Sequence, residues 1–302
     1  MEGRMGRAKS KTARQRIRRA FLLPSRYGFS STRFLGNLER MTALLKRHEV
    51  VGTFPITAMV LKRHRELAGI LDGMEVAVHG LRHRDFTGLE TKRQIAMMKE
   101  AAGIFRSVGL QATGFRAPYL RWSDSMMDAV TGTGFLYDSS IPVGWSCGNE
   151  FDSLAGMTKA LRSYGIGGTT NGLPTMRGRL IELPVAIPDD EILIDRLGFT
   201  NPEQLSRALT AMTTAAMQSG GHLVLQLHPE RFSIFEKVLD DMLTRVLGEG
   251  VWVAPLREIA MWLLEKRPGE HNWPQEAPYA LTVSGDIDAV TLNDFIVRRF
   301  GR

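Results

Sequence analysis

Two histidines follow an apolar segment near residue 80 and could bind a metal ion. The segment reads Glu75-Val-Ala-Val-His79-Gly-Leu-Arg-His83, so a short strand would present both imidazoles at its carboxyl end. Ligands bind at that end of the strands in parallel α/β sheets and barrels. Neutral imidazoles are ligands of Zn²⁺, Co²⁺, Ni²⁺ or Fe²⁺. Taken alone, the pair fits a metal site and structural or surface histidines equally well.

Two further segments end in residues that suit hydrolysis. In Gly114-Phe-Arg116-Ala-Pro-Tyr119, the guanidinium can orient a carboxylate, and the Pro-Tyr turn offers a backbone N–H and an aromatic wall. An ordinary turn before a helix explains the same residues. The buried-type strand 223–227 ends at His228, which is either a hydrogen-bonded core histidine or, beside another site signal, a general acid.

The elements that must position these residues alternate between β-type and helical patterns. This alternation is typical of βα units around a mostly parallel sheet. The predicted strands are residues 20–23, 50–56, 74–78, 113–116, 135–137, 180–185, 222–227 and 251–253. Residues 142–178 are rich in Gly, Ser, Thr and Asn and are predicted to form a long loop near the binding face. A linker at 267–278 precedes another predicted strand, 279–284, and a helix, 291–299.

The positive charge is concentrated at the start of the sequence. The chain has 302 residues and a net charge of +7, and residues 1–19 hold eight basic residues and one acid. Without them, the 39 basic and 32 acidic residues become 31 of each, so the body is neutral. This distribution argues against a dedicated nucleic-acid-binding fold. We expect a mobile basic arm, with at most weak contact to an anionic membrane surface.

The apolar segments and the cysteine content limit which other classes of protein the sequence can belong to. The arm lacks the apolar run of a secretory signal, and no stretch approaches the roughly 20 apolar residues that span a bilayer, so a cytoplasmic protein is expected. Cys147 is the only cysteine. An intramolecular disulfide and a thiolate zinc site are therefore excluded, and any metal must be held by histidine and carboxylate.

Taken in order, the three motifs resemble those of the polysaccharide deacetylase family (NodB-like, carbohydrate esterase family 4). The resemblance covers residues 50–266. His79-Gly-Leu-Arg-His83 is similar to the family's metal-binding His-x-x-x-His, Arg116-Ala-Pro-Tyr119 to its Arg-x-Pro-Tyr, and Leu225-Gln-Leu-His228-Pro229 to its Leu-x-His-Pro. It implies an α/β fold, a distorted (β/α) barrel with mostly parallel strands. It also implies a divalent metal, zinc first and Co, Ni or Fe otherwise, that activates water to hydrolyse an N-acetyl amide or an ester.

The chain departs from the family where two acidic residues should follow the first strand. No Asp occurs before Asp72, whereas the tail sequence Ala280-Leu-Thr-Val-Ser-Gly-Asp286-Ile-Asp288 resembles the missing strand and acids. In an extended segment, residues i and i+2 point to the same side. We therefore hypothesise that this strand inserts beside residues 50–56, with Asp286 as general base oriented by Arg116.

In the same hypothesis Asp288 is the third metal ligand, beside His79 and His83. The alternative is that Asp288 caps the final helix and Asp286 is solvated. Asp190 is a rival carboxylate, because it follows the strand 180–185 and could line the same mouth as a substrate-binding residue; an exposed turn before a helix explains it equally well.

The sequence thus predicts a metal-dependent hydrolase that removes an acyl group, N-acetyl in particular, from a sugar or glycan. His228 would protonate the leaving amine, and a backbone N–H near Tyr119 would stabilise the oxyanion. Trp122 and Trp145 could form an aromatic sugar platform, with packing as the alternative for each. The missing N-terminal acids favour a different function, that of a catalytically degenerate barrel that binds a glycan or a lipid-linked sugar.

The predicted organisation is a basic arm at 1–19, a deacetylase barrel at 20–266, and a linker with a strand and helix at 267–302 that complete the barrel. The implied partner is a carbohydrate or amino-sugar substrate, and no specific nucleic acid is expected. Oligomeric state stays open.

Overall fold

The computed structural model describes residues 27–28, 30–169, 172–265 and 273–300, with the side chains of 299 and 300 excepted. The basic arm at 1–19, the predicted strand 20–23 and the linker residues 267–272 lie outside the described residues.

In the part of the chain that the structure describes, a nine-stranded sheet organises the fold; it is parallel except at one edge, where the strands Thr175–Arg177 and Leu180–Glu182 are antiparallel. Two further strands, Pro142–Gly144 and Val185–Ile187, pair with each other in parallel. The strands are β1 Thr53–Ile56, β2 Glu75–Val78, β3 Gly114–Phe115, β4 Tyr137–Asp138, β5 Pro142–Gly144, β6 Thr175–Arg177, β7 Leu180–Glu182, β8 Val185–Ile187, β9 His222–Leu227, β10 Trp252–Val253 and β11 Ala280–Gly285. The sheet is that of a distorted, open (β/α) barrel, which confirms the predicted fold class.

The tail strand β11 occupies an interior position in this sheet. Its residue Ser284 lies opposite Thr53 of β1 and opposite Gln226 of β9, both in parallel pairing. All six residues of β11 are buried. The predicted insertion beside β1 is confirmed, and Asp286 and Asp288 therefore follow the carboxyl end of a strand that has β1 on one side and β9 on the other.

The helices cover the sheet with amphipathic faces. Leu38, Met41 and Leu45, at helical spacing within the helix Thr32–Arg47, are fully buried. The helices are α1 Thr32–Arg47, α2 Ala58–Arg63, α3 Leu67–Ile70, α4 Thr91–Ser107, α5 Asp124–Thr133, α6 Asn149–Asp152, α7 Ala155–Ser163, α8 Pro202–Ser219, α9 Phe232–Gly248, α10 Leu256–Glu265 and α11 Leu292–Phe300, with a π-helical segment at Glu191–Arg196. None of the described helices is long and apolar enough to cross a bilayer.

Two sequence predictions need correction. The predicted strand 180–185 is divided into β7 and β8, with Pro184, which has no N–H for a sheet ladder, between them. The predicted long loop at 142–178 contains β5, α6, α7 and β6. Helix α7 forms there because Met157 and Ala160 are buried on one face of it, so packing outweighs the loop-like composition.

Candidate active site

His79 follows β2 and has a fixed tautomer. Its Nδ1 lies 2.9 Å from the backbone oxygen of Arg116, which can only accept a hydrogen bond. We therefore assign the proton to Nδ1, which leaves a lone pair on Nε2. The turn at Gly80 has a positive φ of 76°, and a Cβ there would meet the Pro118 ring at 3.0 Å. The two motifs that hold His79 and Arg116 are thus packed together.

Asp288 lies between the two histidines. Its Oδ1 is 3.2 Å from His79 Nε2, and its Oδ2 is 3.1 Å from His83 Nε2. Asp288 does not cap the final helix, because Thr291 and Asp294 cap α11 by exchanging side-chain-to-backbone hydrogen bonds. The placement of the tail carboxylate beside the histidine pair is as hypothesised.

These three side chains fit a divalent cation. Their candidate ligand atoms lie within 4.8 Å of one another. Asp288 Oδ1 is buried without a hydrogen-bond partner among the described residues, and it faces the His79 Nε2 lone pair. Two acceptors that face each other repel unless a cation or a proton lies between them. Burial, and then the Arg298 charge, lower the pKa of His83 well below its usual value, so its imidazole is neutral and able to ligate.

Asp286 is buried beside this cluster and held at both oxygens. The Arg116 guanidinium donates to its Oδ1 at 2.6 Å, and the Gln226 side-chain amide donates to its Oδ2 at 2.9 Å. The Oδ2 atom lies 3.9 Å from His79 Nε2. Asp286 is only 1% exposed, so the alternative of a solvated carboxylate is wrong. Gln226 was missed in the sequence, although its position two residues before His228 in a strand places both on one side.

Arg116 acts inside the fold rather than toward solvent. Besides Asp286, it donates to the Ser284 hydroxyl, to the Ser139 backbone oxygen and to the Ser139 hydroxyl, at 2.8, 3.1 and 3.0 Å. Its side chain is fully buried. The guanidinium therefore joins β3, β4 and β11 around the Asp286 carboxylate, in the orienting position that the sequence hypothesis gave it.

Tyr119 has a strained backbone beside the histidine pair. Its φ is 60°, an uncommon value for a residue with a side chain and one that clusters at functional sites. Tyr119 is 47% exposed, and its ring packs edge-on against His83, with ring centroids 4.3 Å apart. A tyrosine ring is thus open to the cleft immediately beside the candidate metal ligands.

His228 lines the same cleft and is paired with Asp190 behind it in the buried interior. Asp190 Oδ1 lies 2.5 Å from His228 Nδ1, and its Oδ2 accepts the His228 backbone N–H at 2.7 Å. Burial opposes a charged imidazole, but the Asp190 charge and hydrogen bond prevail and raise the pKa of His228 well above its usual value.

The alternative of an exposed turn at Asp190 is therefore wrong, and its carboxylate is grouped with Asp189 and His228 rather than with His79 and His83. Asp190 is 2% exposed, and both of its oxygens contact His228. Asp189 lies near enough to form a second group with this pair, yet one Asp189 oxygen already accepts the Ile192 N–H. Asp190 therefore supports His228 and does not complete the site of His79 and His83.

The two predicted tryptophan contacts also need correction. The cleft is a cavity of about 310 Å³, lined by the histidines, Tyr119, Asp286 and Asp288 among others. Trp145 is 2% exposed and packs in the core, while Trp122 packs against the core beneath the Arg177 guanidinium. Neither lines the cavity, because a tryptophan near a loop buries its large apolar area wherever the fold allows. Tyr164 and Arg196 line the wall instead.

Residues 35–137 match the family model of polysaccharide deacetylases. This range contains His79, His83, Arg116 and Tyr119. The resemblance to the polysaccharide deacetylase family is confirmed. His228, Asp286 and Asp288 lie beyond the deacetylase match. A peptidoglycan deacetylase-like protein of Gibberella zeae is 31% identical over 109 residues, which are 35% of this chain and 29% of that protein. The aligned segment therefore spans less than a third of the relative.

Solved structures share the deacetylase fold along most of the chain. A protein of Mycobacterium smegmatis described as a polysaccharide deacetylase has a TM-score of 0.57 at 21% identity, over 83% of this chain and 84% of that one. One of Pseudomonas aeruginosa PAO1 has a TM-score of 0.60 at 20% identity, over 78% and 74%. An allantoinase has a TM-score of 0.60 at 17% identity, again over 78% and 74%. At these identities the likeness is one of fold.

Proposed function

We propose that this chain is a metal-dependent hydrolase that removes an acyl group, N-acetyl in particular, from a sugar or glycan. The observation that supports this most directly is the assembly of Asp286 and Asp288 beside His79 and His83. The acids that are missing near the start of the sequence are present at the site, which favours hydrolysis over a degenerate binding barrel.

His79, His83 and Asp288 are the residues that would hold the divalent cation. Two imidazoles and one carboxylate are a ligand set typical of catalytic zinc, with Co²⁺, Ni²⁺ or Fe²⁺ as the other candidates. When bound, such an ion polarises the acyl oxygen and lowers the pKa of water. The Nδ1–H bond of His79 to the Arg116 backbone keeps its Nε2 aimed at the site.

Asp286 is proposed as the general base. Because Arg116 and Gln226 hold one carboxylate oxygen each, its orientation is fixed before substrate arrives. The carboxylate then accepts a proton from the attacking water. A positioned base of this kind contributes about 10²- to 10⁴-fold to the rate.

His228 is proposed as the general acid. Asp190 keeps its imidazole protonated, and His228 and Asp286 line the same cavity. The imidazolium therefore donates a proton to the leaving amine as the amide bond breaks. A backbone N–H near Tyr119 would stabilise the developing oxyanion, and the exposed Tyr119 ring supplies an apolar wall for a sugar.

Release of acetate from defined substrates tests this function. The purified full chain, stripped with a chelator and reloaded with Zn²⁺, is incubated with N-acetylated glucosamine oligomers and, separately, with O-acetylated xylose oligomers. We expect acetate only after reloading, and none from His79→Ala, while His48→Ala, a histidine that pairs with Asp240 outside the cavity, keeps the activity. Metal bound without acetate release, together with glycan binding, would instead support the degenerate barrel.

A further inference from the structure

The last described helix, α11, contributes one side chain to the candidate metal site. Arg298 Nη1 donates to Asp288 Oδ2 at 2.6 Å, the shortest contact of that carboxylate. Both side chains are nearly buried, 11% and 12% exposed. A charge-assisted hydrogen bond with this little solvent access is among the stronger kinds. No sequence signal points to Arg298, since it lies beyond the motifs that resemble the family.

The same guanidinium also covers Tyr119. Its central carbon lies 5.7 Å from the Tyr119 ring centroid, within the range of a cation–π contact. Tyr119 in turn packs edge-on against His83. Arg298 therefore contacts both a predicted metal ligand and the strained tyrosine beside the site.

Arg298 occupies only one oxygen of Asp288. The other oxygen, Oδ1, has no hydrogen-bond partner among the described residues and lies 3.2 Å from His79 Nε2. Oδ2 of Asp288 is therefore bonded to the Arg298 guanidinium, whereas Oδ1 keeps its lone pairs free. Oδ1 is therefore available as a ligand atom beside His79, while Oδ2 lies near His83 and is held by Arg298.

The position of Arg298 is set by the anchoring of its helix. Asp294, one turn earlier in α11, bonds the Arg63 guanidinium and His64 Nε2, both at 2.7 Å. Phe295 packs against Tyr27, with ring centroids 5.6 Å apart, and stacks beneath the Arg298 guanidinium. The guanidinium thus reaches the site from a helix fixed to α2 and to the start of the described chain.

We propose that Arg298 is a positioning residue that fixes the Asp288 carboxylate for binding of a divalent cation and holds the Tyr119 ring over His83. The effect on metal binding needs only the cation site; any effect on turnover rests on the proposed function. A purely electrostatic role predicts the opposite sign, because a guanidinium beside a divalent cation repels it and its removal would tighten binding.

Competitive titration of Zn²⁺ shows whether removal of the Arg298 guanidinium weakens or tightens metal binding. The full chain is compared with Arg298→Gln, Arg298→Lys and the control Arg207→Gln, which removes a charge from a half-exposed pair with Glu150. We expect about 10- to 100-fold weaker Zn²⁺ binding in Arg298→Gln, the usual cost of losing a partner of a metal ligand. Arg298→Lys should lie between, and the control should match the wild type. Equal or tighter binding in Arg298→Gln overturns the proposal.

A second readout reports the site itself. In the Co²⁺-loaded protein, the visible absorption bands should change in Arg298→Gln and not in Arg207→Gln, since ligand geometry determines those bands. If Arg298→Gln does not fold, Arg298→Lys decides alone, and an unchanged Zn²⁺ affinity and Co²⁺ spectrum overturn the proposal. A wild-type chain that binds Zn²⁺ without hydrolysis refutes the proposed function only. Hydrolysis with unchanged affinity in Arg298→Gln refutes this inference only.

Discussion

The Arg116 guanidinium donates to the Asp286 carboxylate at 2.6 Å, and both side chains are fully enclosed by the fold. The pair connects the Arg-x-Pro-Tyr motif to the tail strand β11, two segments that lie far apart in the sequence. One ion pair therefore links the part of the chain that matches the family model to the part that supplies the acids.

Arg116→Gln should destabilise the fold strongly. The change leaves Asp286 buried without its cation, and breaking a buried pair in this way costs about 3–5 kcal/mol. The free energy of unfolding from urea denaturation measures the loss. Arg207→Gln, at the surface, should stay within about 0.5 kcal/mol of the wild type. A loss below about 1 kcal/mol for Arg116→Gln would show that the pair contributes little.

Asparagine substitutions should distinguish the roles of the two tail acids, Asp286 and Asp288. Asp286→Asn is expected to retain Zn²⁺ while kcat falls by about 10²- to 10⁴-fold, because a base is lost and the ligand set is intact. Asp288→Asn is expected to lose Zn²⁺ affinity, since it removes a charged ligand. Metal content after dialysis and acetate release measure both effects. Metal loss in Asp286→Asn would assign that residue to the ligand set instead.

Asp190→Asn should move the alkaline limb of the kcat/KM profile to lower pH. Asp190 keeps the pKa of His228 raised against the opposing effect of burial. Without the carboxylate charge, burial prevails, the pKa falls, and the imidazolium is lost at a lower pH. Profiles of kcat/KM against pH for both proteins test this. A limb that stays in place would show that His228 does not set it.

Much of the site was predictable because its motifs are local. The spacing of His79 and His83, the Arg116 turn and the end of β9 at His228 each depend on a few neighbouring residues, and β9 has the predicted bounds 222–227. The resemblance also indicated the role of the tail. Asp286 and Asp288 stand two residues apart directly after a β-type segment. This pattern can be found in the sequence wherever along the chain it occurs.

The features that were missed depend on packing between distant segments. Trp145 is a core residue because its backbone bonds Ile187 of β8 and its ring lies against Gly172, which composition does not reveal. Asp190 contacts His228 because the segment after β8 turns toward the end of β9. Arg298 reaches Asp288 because Asp294, Arg63 and His64 fix α11 in place. None of these contacts leaves a periodic pattern in the sequence.

The anchor of α11 should depend on pH through His64 and Asp294. The hydrogen bond to Asp294 raises the pKa of His64, although burial opposes this shift. Burial would raise the pKa of Asp294, but the contacts with His64 and Arg63 prevail and lower it. The His64 contribution is lost as pH rises through its raised pKa, and the Asp294 contribution is lost as pH falls through its lowered pKa. Both are fully present between about pH 4 and 6.5, the range bounded by the two unfolded-state pKa values.

Urea denaturation at pH 5.5 and 8.5 measures this anchor. Between pH 5.5 and 8.5 the free energy of unfolding of the wild type should fall by about 1–2 kcal/mol more than that of His64→Gln. This difference is in keeping with a hydrogen bond between charged groups. Arg207→Gln, which alters a half-exposed pair with Glu150 and removes no group that titrates in this range, is the control and should follow the wild type. Equal losses in the wild type and His64→Gln would contradict the prediction.

The tail should tolerate relocation in the chain. Leu292 N–H donates to the Gly28 backbone oxygen at 2.9 Å, so the start of α11 lies against the start of the described chain. We expect a circular permutant, with residue 302 joined to residue 1 and the chain opened within 267–272, to keep the wild-type circular dichroism spectrum and Zn²⁺ affinity. A permutant that folds but no longer binds Zn²⁺ would show that the connection through 267–272 orders the site.

The interior position of β11 has a consequence during protein synthesis. The ribosome makes residues 280–285 after β1 and β9, the strands that flank them in the finished sheet. Until the tail emerges, the backbone groups of β1 and β9 that pair with it have no partner, and unpaired strand edges promote association between nascent chains. The same delay keeps the candidate site without both tail acids, so the group His79, His83 and Asp288 and the pairing of β1 and β9 with β11 are completed together.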